Sequence, residues 1–224
     1  MQPPTENRAI NVFLVEDHKM FREWLRNMVL RDERFAVCGE ADNIGVSLVK
    51  MKDLQPDIAI VDITLQGGSS GLELIKQLRA HRIAVPVLVL SMHQEELYAE
   101  RVLQAGGKGY VSKDETSTVL MRAMNEVLSG RVYLSEKMTA AVLSKLSGDA
   151  SPATDSELKA LTDRQLEVFR LIGKGYNDRE IAHQLDLQKA TVDRFRAQIK
   201  ERLRMKSAAE VYCRAAQWLQ DQGE

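Results

Sequence analysis

The chain has 224 residues, of which 28% are charged and 44% hydrophobic, a composition typical of a soluble protein that buries a substantial core. With a formal net charge of −1, the chain as a whole is neither strongly basic nor strongly acidic. The first residues, MQPPTENRAI, lack the pattern of a signal peptide, and apolar runs such as VPVLVLSM are too short to span a bilayer. Two distant cysteines, Cys38 and Cys213, favour free thiols over a disulfide. We therefore expect a cytoplasmic protein without a membrane-spanning segment.

The first 130 residues alternate strand-sized apolar runs with amphipathic helical patterns. Near-continuous apolar strands separated by helices are typical of a parallel sheet that is covered on both faces. Five such strand–helix units predict a doubly wound α/β domain over residues 9–130. The predicted strands are 10–16, 35–40, 57–62, 85–91 and 108–112, and the predicted helices lie near 18–31, 43–54, 71–81, 94–105 and 115–129.

The character of the sequence changes after this domain. Residues 131–158 indicate a helical extension followed by a flexible linker, because SGDASPATDSE (147–157) is small, polar and acidic and contains a proline. Residues 159–222 then show helical patterns only and predict a small all-α domain. From residue 159 to the end, 13 Lys and Arg stand against 10 Asp and Glu, a mildly basic balance that permits nucleic acid as a partner without requiring it.

Four short helices are predicted in this second domain. Three of their starts carry a capping residue followed three positions later by Gln or Glu, at Thr162, Asn177 and Ser207. The fourth helix begins near Gln188, where apolar spacing resumes after the interruption at LDL (185–187).

Five polar residues fall just at or beyond the carboxyl ends of the predicted strands, where parallel α/β sheets bind their ligands. Each alone has an ordinary explanation, because a strand-end Asp is usually a helix cap and a lone Lys usually lies on the surface. Their joint occurrence indicates a site. The five residues are Glu16, Asp17, Asp62, Ser91 and Lys113.

Three carboxylates that converge on one cleft repel each other, and a cation or a proton usually offsets that repulsion. Hard oxygen ligands suit Mg²⁺. Such a metal, together with Lys113 and the Ser91 hydroxyl, would neutralise the oxygens of a phosphoryl group in transfer. Asp62 would then act as an in-line nucleophile that forms an acyl phosphate.

The motifs FLVEDH, AIVDITL, VLVLSMH and GYVSKDE resemble the receiver domain of two-component response regulators, across roughly residues 9–130. The resemblance implies a flavodoxin-like fold, and a sensor histidine kinase that phosphorylates Asp62. It implies that Ser91 is the switch hydroxyl, Tyr110 the switch aromatic and Lys113 the phosphate partner. The only catalysis it implies is the protein's own phosphorylation and dephosphorylation. The Mg²⁺ ligands it implies are Glu16, Asp17, Asp62 and the backbone carbonyl of Thr64.

Two features depart from that family's pattern. The loop LQGGSSG after Asp62 lacks the proline and the acid often found there and is about one residue longer than usual. Lys113 is followed by Asp114 instead of proline, so no X-Pro bond favours a cis peptide at this point.

The motifs LTDRQLEV, GYNDREIA and TVDRFRAQIKERL resemble the LuxR-type helix-turn-helix, over about residues 159–215. With the receiver-like domain in front, the chain resembles a NarL/FixJ-type response regulator. The resemblance implies a scaffold helix at Asn177–Leu185 and a recognition helix at Gln188–Arg204 that enters the major groove of DNA. The apolar stripe of the second helix is Val192, Phe195, Ile199 and Leu203. The residues expected to face DNA are Lys189, Thr191, Asp193, Arg194, Arg196, Ala197 and Lys200.

The predicted recognition helix departs from the family at Gln188 (usually Ser), Asp193 (usually Lys) and Phe195 (usually His or Tyr). Gln caps a helix less well than Ser. Three accounts of Asp193 stay open. It accepts from cytosine N4 and alters specificity, it is neutralised within the helix by Lys189 and Arg196, or DNA binding has weakened.

We therefore expect a phosphorylation-controlled transcription regulator that binds double-stranded DNA as a homodimer. A second hypothesis is a receiver protein whose C-terminal domain binds another protein, because Asp193 and Ala197 lie on the predicted reading face. A third, an aspartyl-phosphate hydrolase, is disfavoured because such enzymes generally carry a second Asp as general acid where this chain has Thr64.

Overall fold

The structure is a computed structural model that describes residues 8–65, 70–92, 95–140, 158 and 160–222. It divides into two compact units, here called the N-terminal unit (the described residues from 8 to 140) and the C-terminal unit (those from 158 onward). The unusual part of the loop after Asp62 and the predicted linker at 147–157 lie outside the described residues. The exact domain limits 9–130, 131–158 and 159–222 stay predictions.

The N-terminal unit contains a five-stranded parallel sheet in the order β2-β1-β3-β4-β5, which confirms the predicted doubly wound α/β fold. The strands are β1 (Ile10–Val15), β2 (Phe35–Ala41), β3 (Ile58–Asp62), β4 (Val87–Ser91) and β5 (Gly109–Ser112). The helices beside these strands are α1 (Lys19–Val29), α2 (Ile44–Leu54), α3 (Gly71–Ala80), α4 (Glu95–Ala105) and α5 (Ser117–Leu128), and residues 136–140 are helical as well.

The central strands β3 and β4 are apolar up to their last residues, Asp62 and Ser91, because helices cover both faces of the sheet. All five residues of β3 and all five of β4 are buried. The predicted strand at 85–91 begins two residues later, at Val87. Pro86 has no N–H to donate to a ladder, and the N–H of Val85 turns back to the carbonyl of Ile83.

Helices α1 and α5 supply one half of the sheet's core. From α1, Leu25, Met28 and Val29 pack against the strands, and from α5, Leu120 and Val127 do the same. The buried positions of α5 recur at the three- and four-residue spacing of a helix face, so the amphipathic pattern in the sequence orients this helix.

The C-terminal unit contains four helices, as predicted: α6 (Asp163–Gly173), α7 (Asp178–Gln184), α8 (Lys189–Arg202) and α9 (Ala208–Gln222). Reciprocal capping boxes are present at Thr162 and Asn177. At Ser207 only half of the box forms, because Glu210 accepts from the N–H of Lys206. Gln188 makes no side-chain capping bond, in line with its weak capping tendency.

Helices α6 and α9 approach closely at a glycine. The rings of Phe169 and Trp218 lie 5.7 Å apart between the two helices, and both side chains are buried. A Cβ atom at Gly173 would lie 2.6 Å from the backbone carbonyl oxygen of Ala215. Any larger residue at this position would therefore force the two helices apart.

A second glycine shapes the connection between β3 and α3. Thr64 and Ser70 form an isolated antiparallel bridge, and the N–H of Gly71 donates to the carbonyl of Ile63 over 2.7 Å. A Cβ atom at Gly71 would lie only 2.0 Å from the backbone carbonyl oxygen of Asp62. The absence of a side chain at Gly71 thus permits the backbone position of Asp62.

We expect Gly71→Ala to destabilise the N-terminal unit by about 1–3 kcal/mol, because the carbonyl of Asp62 must move to admit the methyl group. Urea unfolding measures this change. Gly45→Ala in α2 is the matched control, because its added Cβ would meet nothing closer than 3.6 Å. Equal stability of the two variants would contradict the close approach at Gly71.

Candidate functional site

Strand register brings the predicted carboxylates together. Val15 pairs with Val61 across β1 and β3, so Glu16 and Asp62 leave the sheet side by side at its carboxyl edge. Oxygen atoms of Glu16, Asp17 and Asp62 all lie within 4.8 Å of one another. Glu16 and Asp62 are buried, and Asp17 is half-buried. The acidic cluster inferred from the sequence is therefore present as one site.

Lys113 bridges two of these carboxylates. Its Nζ donates to Glu16 Oε2 over 2.7 Å and to Asp62 Oδ2 over 2.8 Å, and its side chain is only 8% exposed. The backbone N–H of Lys113 donates to the carbonyl of Ser91 over 2.8 Å, which ties the end of β5 to the end of β4. The peptide bond that follows Lys113 is trans.

Burial and like charge alter the ionisation of the cluster. Burial first, and then the neighbouring charge of Asp62, raise the pKa of Glu16 to about 7, although the charge and hydrogen bond of Lys113 lower it. Burial alone would lower the pKa of Lys113, but Asp62 and Glu16 together raise it above its ordinary value. Lys113 therefore stays a cation at neutral pH, whereas Glu16 titrates near neutrality.

The residues present fit a divalent cation. When ionised, Glu16, Asp17 and Asp62 carry three negative charges against the one positive charge of Lys113, which leaves a surplus equal to the charge of Mg²⁺. All three side chains offer hard carboxylate oxygens, the donors that Mg²⁺ prefers.

The other predicted residues of the pocket lie on or after neighbouring strands. Ser91 ends β4 and is fully buried, next to the anchored backbone of Lys113. Tyr110 is buried in β5, and its N–H donates to the carbonyl of Tyr133. Thr64 follows β3, and its N–H donates to Asp62 Oδ1 over 3.3 Å. The roles assigned to these three residues stay predictions.

Two residues in the first turn of α1 complete the pocket and were missed in the sequence. The ring of Phe21 lies 4.3 Å from the Nζ of Lys113, a distance at which a cation–π interaction stabilises the ammonium. Arg22 donates to the backbone carbonyl of Glu16 and lies 3.4 Å from the carboxylate of Glu40. The sequence could have indicated both residues, because they follow Asp17 by four and five positions on a helix that begins beside the pocket.

The predicted recognition helix, α8, shows the expected two-sided character. Val192 and Ile199 of its apolar stripe are fully buried, and Phe195 and Leu203 are half-buried. Five of the seven residues expected to face DNA are exposed, and Thr191 and Arg196 are half-buried. The exposed ones are Lys189, Asp193, Arg194, Ala197 and Lys200.

Asp193 has one of the two neighbours expected to neutralise it. Its carboxylate lies 3.5 Å from the Nζ of Lys189, one helical turn earlier. Arg196 pairs instead with Asp178 at the start of α7, over 2.6 and 2.7 Å. Neutralisation by Arg196 was part of one of the three open accounts of Asp193 and was based on sequence spacing alone. The attraction of a carboxylate on another helix overrides it.

Among the residues that the structure describes, no helix combines the length and the apolar character needed to cross a membrane.

Comparison with known proteins identifies two families in the chain. A model described as a response regulator receiver domain matches residues 12–125, and one described as bacterial regulatory proteins of the luxR family matches residues 159–215. The first match covers the acidic site, and the second covers α6 to α8 and the start of α9.

Proteins with both domains are similar over most of this chain. The oxygen regulatory protein NreC of Staphylococcus carnosus (strain TM300) is 30% identical over 207 residues, which cover 90% of this chain and 94% of NreC. The DNA-binding transcriptional activator DevR/DosR of Mycobacterium tuberculosis (strain ATCC 25618 / H37Rv) is 30% identical over 196 residues, 88% of this chain and 89% of that protein.

Among solved structures, a two-component response regulator of the LuxR family from Aurantimonas sp. SI85-9A1 superposes with a TM-score of 0.58 at 29% identity. The match covers 62% of this chain and 99% of that one. Together, the two matched domains and the near full-length relatives show that this chain belongs to the response regulators that join a receiver domain to a LuxR-type helix-turn-helix domain.

Proposed function

We propose that this response regulator accepts a phosphoryl group on Asp62 from a sensor histidine kinase and thereby controls transcription through DNA binding. The observation that carries the proposal is the buried cluster in which Lys113 bridges Glu16 and Asp62. Such a cluster holds one carboxylate ready for phosphoryl transfer beside a cation that can neutralise the charge it gains.

In the proposed reaction, an oxygen of Asp62 attacks the phosphorus of a phosphohistidine in line with the departing nitrogen. The P–N bond breaks as the new P–O bond forms, and the imidazole leaves. Lys113 neutralises part of the charge on the phosphoryl oxygens, since its ammonium already contacts Asp62. Mg²⁺ held by Glu16, Asp17, Asp62 and the Thr64 carbonyl supplies further neutralisation of that charge when bound.

Phosphorylation is proposed to act at a distance through Ser91 and Tyr110. Both are buried on neighbouring strands, so a displacement of either changes the packing of the sheet's edge. The new phosphoryl oxygens offer acceptors that draw the Ser91 hydroxyl toward Asp62. The resulting change is proposed to favour a homodimer that binds DNA.

The C-terminal unit is proposed to bind double-stranded DNA through α8. This proposal is supported by the luxR-family match and by the name of one relative, a DNA-binding transcriptional activator. The surface of α8 supplies the half-buried Thr191 and the exposed residues Lys189, Asp193, Arg194, Ala197 and Lys200. DNA in a bacterium lies in the cytoplasm, where we propose that the protein acts.

We expect Asp62→Asn to abolish phosphorylation by a small phosphodonor such as acetyl phosphate, because an amide cannot form the acyl phosphate. Intact-mass spectrometry of the full chain measures the modification. Asp53→Asn is the matched control, since Asp53 is an exposed acid on α2, and it should be phosphorylated like the wild type. Normal phosphorylation of the Asp62→Asn protein would overturn the assignment of the acceptor.

In metal-free protein, we expect the contribution of Glu16 to the free energy of unfolding to fall as pH rises from 4.5 to about 7. Its pKa is raised in the folded state, so that state binds more protons than the unfolded chain within this window. The contribution is complete below pH 4.5 and is lost above about pH 7. The Glu16→Gln substitution removes this contribution, so the difference in free energy of unfolding between the wild type and Glu16→Gln should change with pH.

Urea unfolding in a chelator, at about pH 5 and about pH 8, measures this difference, because every other titrating group is common to both proteins. Added Mg²⁺ should stabilise the wild type more at the higher pH, since metal binding requires ionised carboxylates. A pH-independent difference between wild type and Glu16→Gln would contradict the proposed ionisation.

We expect Asp193→Asn to strengthen binding to all DNA sequences, because Lys189 loses its ion-pair partner and becomes available to a phosphate. The slope of log K against log salt concentration should then steepen by about 0.9, the value for one additional phosphate contact. Fluorescence anisotropy over a salt series measures the slope. Glu201→Gln, an equal charge change at an exposed site of α8, is the control. A changed preferred sequence without a general gain would show instead that Asp193 reads a base.

A further inference from the structure

Arg196 occupies a different environment from the other cations of α8. Its guanidinium donates from Nη1 to both carboxylate oxygens of Asp178, and the two side chains are only 21% and 17% exposed. The guanidinium carbon also lies 5.0 Å from the ring centroid of Tyr212. By contrast, the neighbouring Arg194 is exposed, and its guanidinium carbon lies 5.9 Å from the ring centroid of Phe195 on its own helix.

These contacts join three helices at one point. Asp178 is the first residue of α7, Arg196 lies in the middle of α8, and Tyr212 lies in the first half of α9. A carboxylate at the first position of a helix also interacts favourably with the helix dipole. Charge-assisted bonds of this length are among the stronger hydrogen bonds in proteins.

We propose that Asp178, Arg196 and Tyr212 form a clamp that sets the angle of α8 against α7 and α9, and that Arg196 is a positioning residue for DNA recognition. This inference rests on the proposed function and assigns Arg196 a role different from direct contact with DNA. The Asp178–Arg196 pair has no net charge, so Arg196 releases few counterions from DNA. The reading surface of α8 then excludes Arg196.

A groove lies beside the clamp. It has a volume of about 230 Å³ and runs between α8 and α9, lined by Asp193, Arg196, Ala197, Lys200, Ala208 and Val211. Arg196 is the half-buried member of the α8 residues in this lining, whereas the other three are exposed. The charged groups around Arg196 on its own helix are thus Asp193 and Lys200, and on α7 its partner is Asp178.

The clamp is tested first without DNA, by a double-mutant cycle in the full chain. The protein has two tryptophans, Trp24 and Trp218, so a Trp24→Phe background leaves Trp218 as the fluorescent reporter of the C-terminal unit. We expect Asp178→Asn and Arg196→Gln each to lower the equilibrium constant for folding by about tenfold. The double variant should lose much less than the product of the two, because either single substitution already breaks the pair. The helix-dipole effect of Asp178 cancels in the cycle.

Tyr212 gives a second measurement of the same contact. Tyr212→Phe retains the aromatic face and should fold like the background protein, whereas Tyr212→Leu removes the face and should weaken the coupling between Asp178 and Arg196. Additive effects in the cycle, with equal behaviour of the two Tyr212 variants, would overturn the clamp.

Measurements of DNA binding then distinguish a positioning role of Arg196 from direct contact between Arg196 and DNA. The probes are duplexes enriched from a random library by the wild-type protein, with poly(dI-dC) as non-specific DNA. We expect the Asp178→Asn/Arg196→Gln protein to lose specific affinity and to keep the wild-type salt slope, at a temperature where it is fully folded. If Arg196 contacts phosphate, the slope should fall by about 0.9. That fall would overturn the positioning role.

Arg194→Gln is the matched reference on the same helix. Arg194 is exposed, so its loss should reduce the salt slope without changing the unfolding of the C-terminal unit. The two proposals fail separately. If the wild-type chain enriches no sequence from the library, DNA recognition fails while the fluorescence cycle still decides the clamp. If the cycle shows no coupling while DNA binding persists, the clamp alone is wrong.

Discussion

The ammonium group of Lys113 lies between two buried carboxylates, and the receiver site depends on this contact. Without Lys113, Glu16 and Asp62 would face each other with their charges in a region of low solvent access. Phe21 covers the cation from the side of α1, and the backbone of Lys113 is anchored to Ser91. The cluster is therefore held from three elements before any metal or phosphoryl group arrives.

The architecture of the sheet explains why these groups meet. Parallel strands end at a common edge, and the register of β1 and β3 sets Glu16 beside Asp62. Gly71 then lets the chain pass close to the Asp62 carbonyl, since a Cβ atom at position 71 would lie 2.0 Å from the carbonyl oxygen. A doubly wound sheet brings side chains from positions 16, 62 and 113 together. A single glycine at the start of α3 allows that helix to begin close to the end of β3.

Local patterns were readable from the sequence, whereas contacts between helices were not. The capping boxes at Thr162 and Asn177 depend on residues three positions apart, and both are present. The acidic site was predictable because it requires only strand ends and topology. The Asp178–Arg196 pair joins two helices, and its partners can be matched only when the helices' packing is known. Sequence spacing instead suggested Asp193, three residues before Arg196 on the same helix, as its ion-pair partner.

The charge balance of α8 bears on how phosphorylation is coupled to DNA binding. Asp193 offsets Lys189 and Asp178 offsets Arg196, so Arg194 and Lys200 are the exposed cations of the reading face without an ion pair in the described part of the chain. Two cations give the reading face of a single α8 helix little electrostatic affinity for DNA. A homodimer presents twice that number to one duplex and gains the effective concentration of a linked second site. Under the proposed function, dimerisation is therefore the step at which a phosphoryl group on Asp62 changes DNA occupancy most.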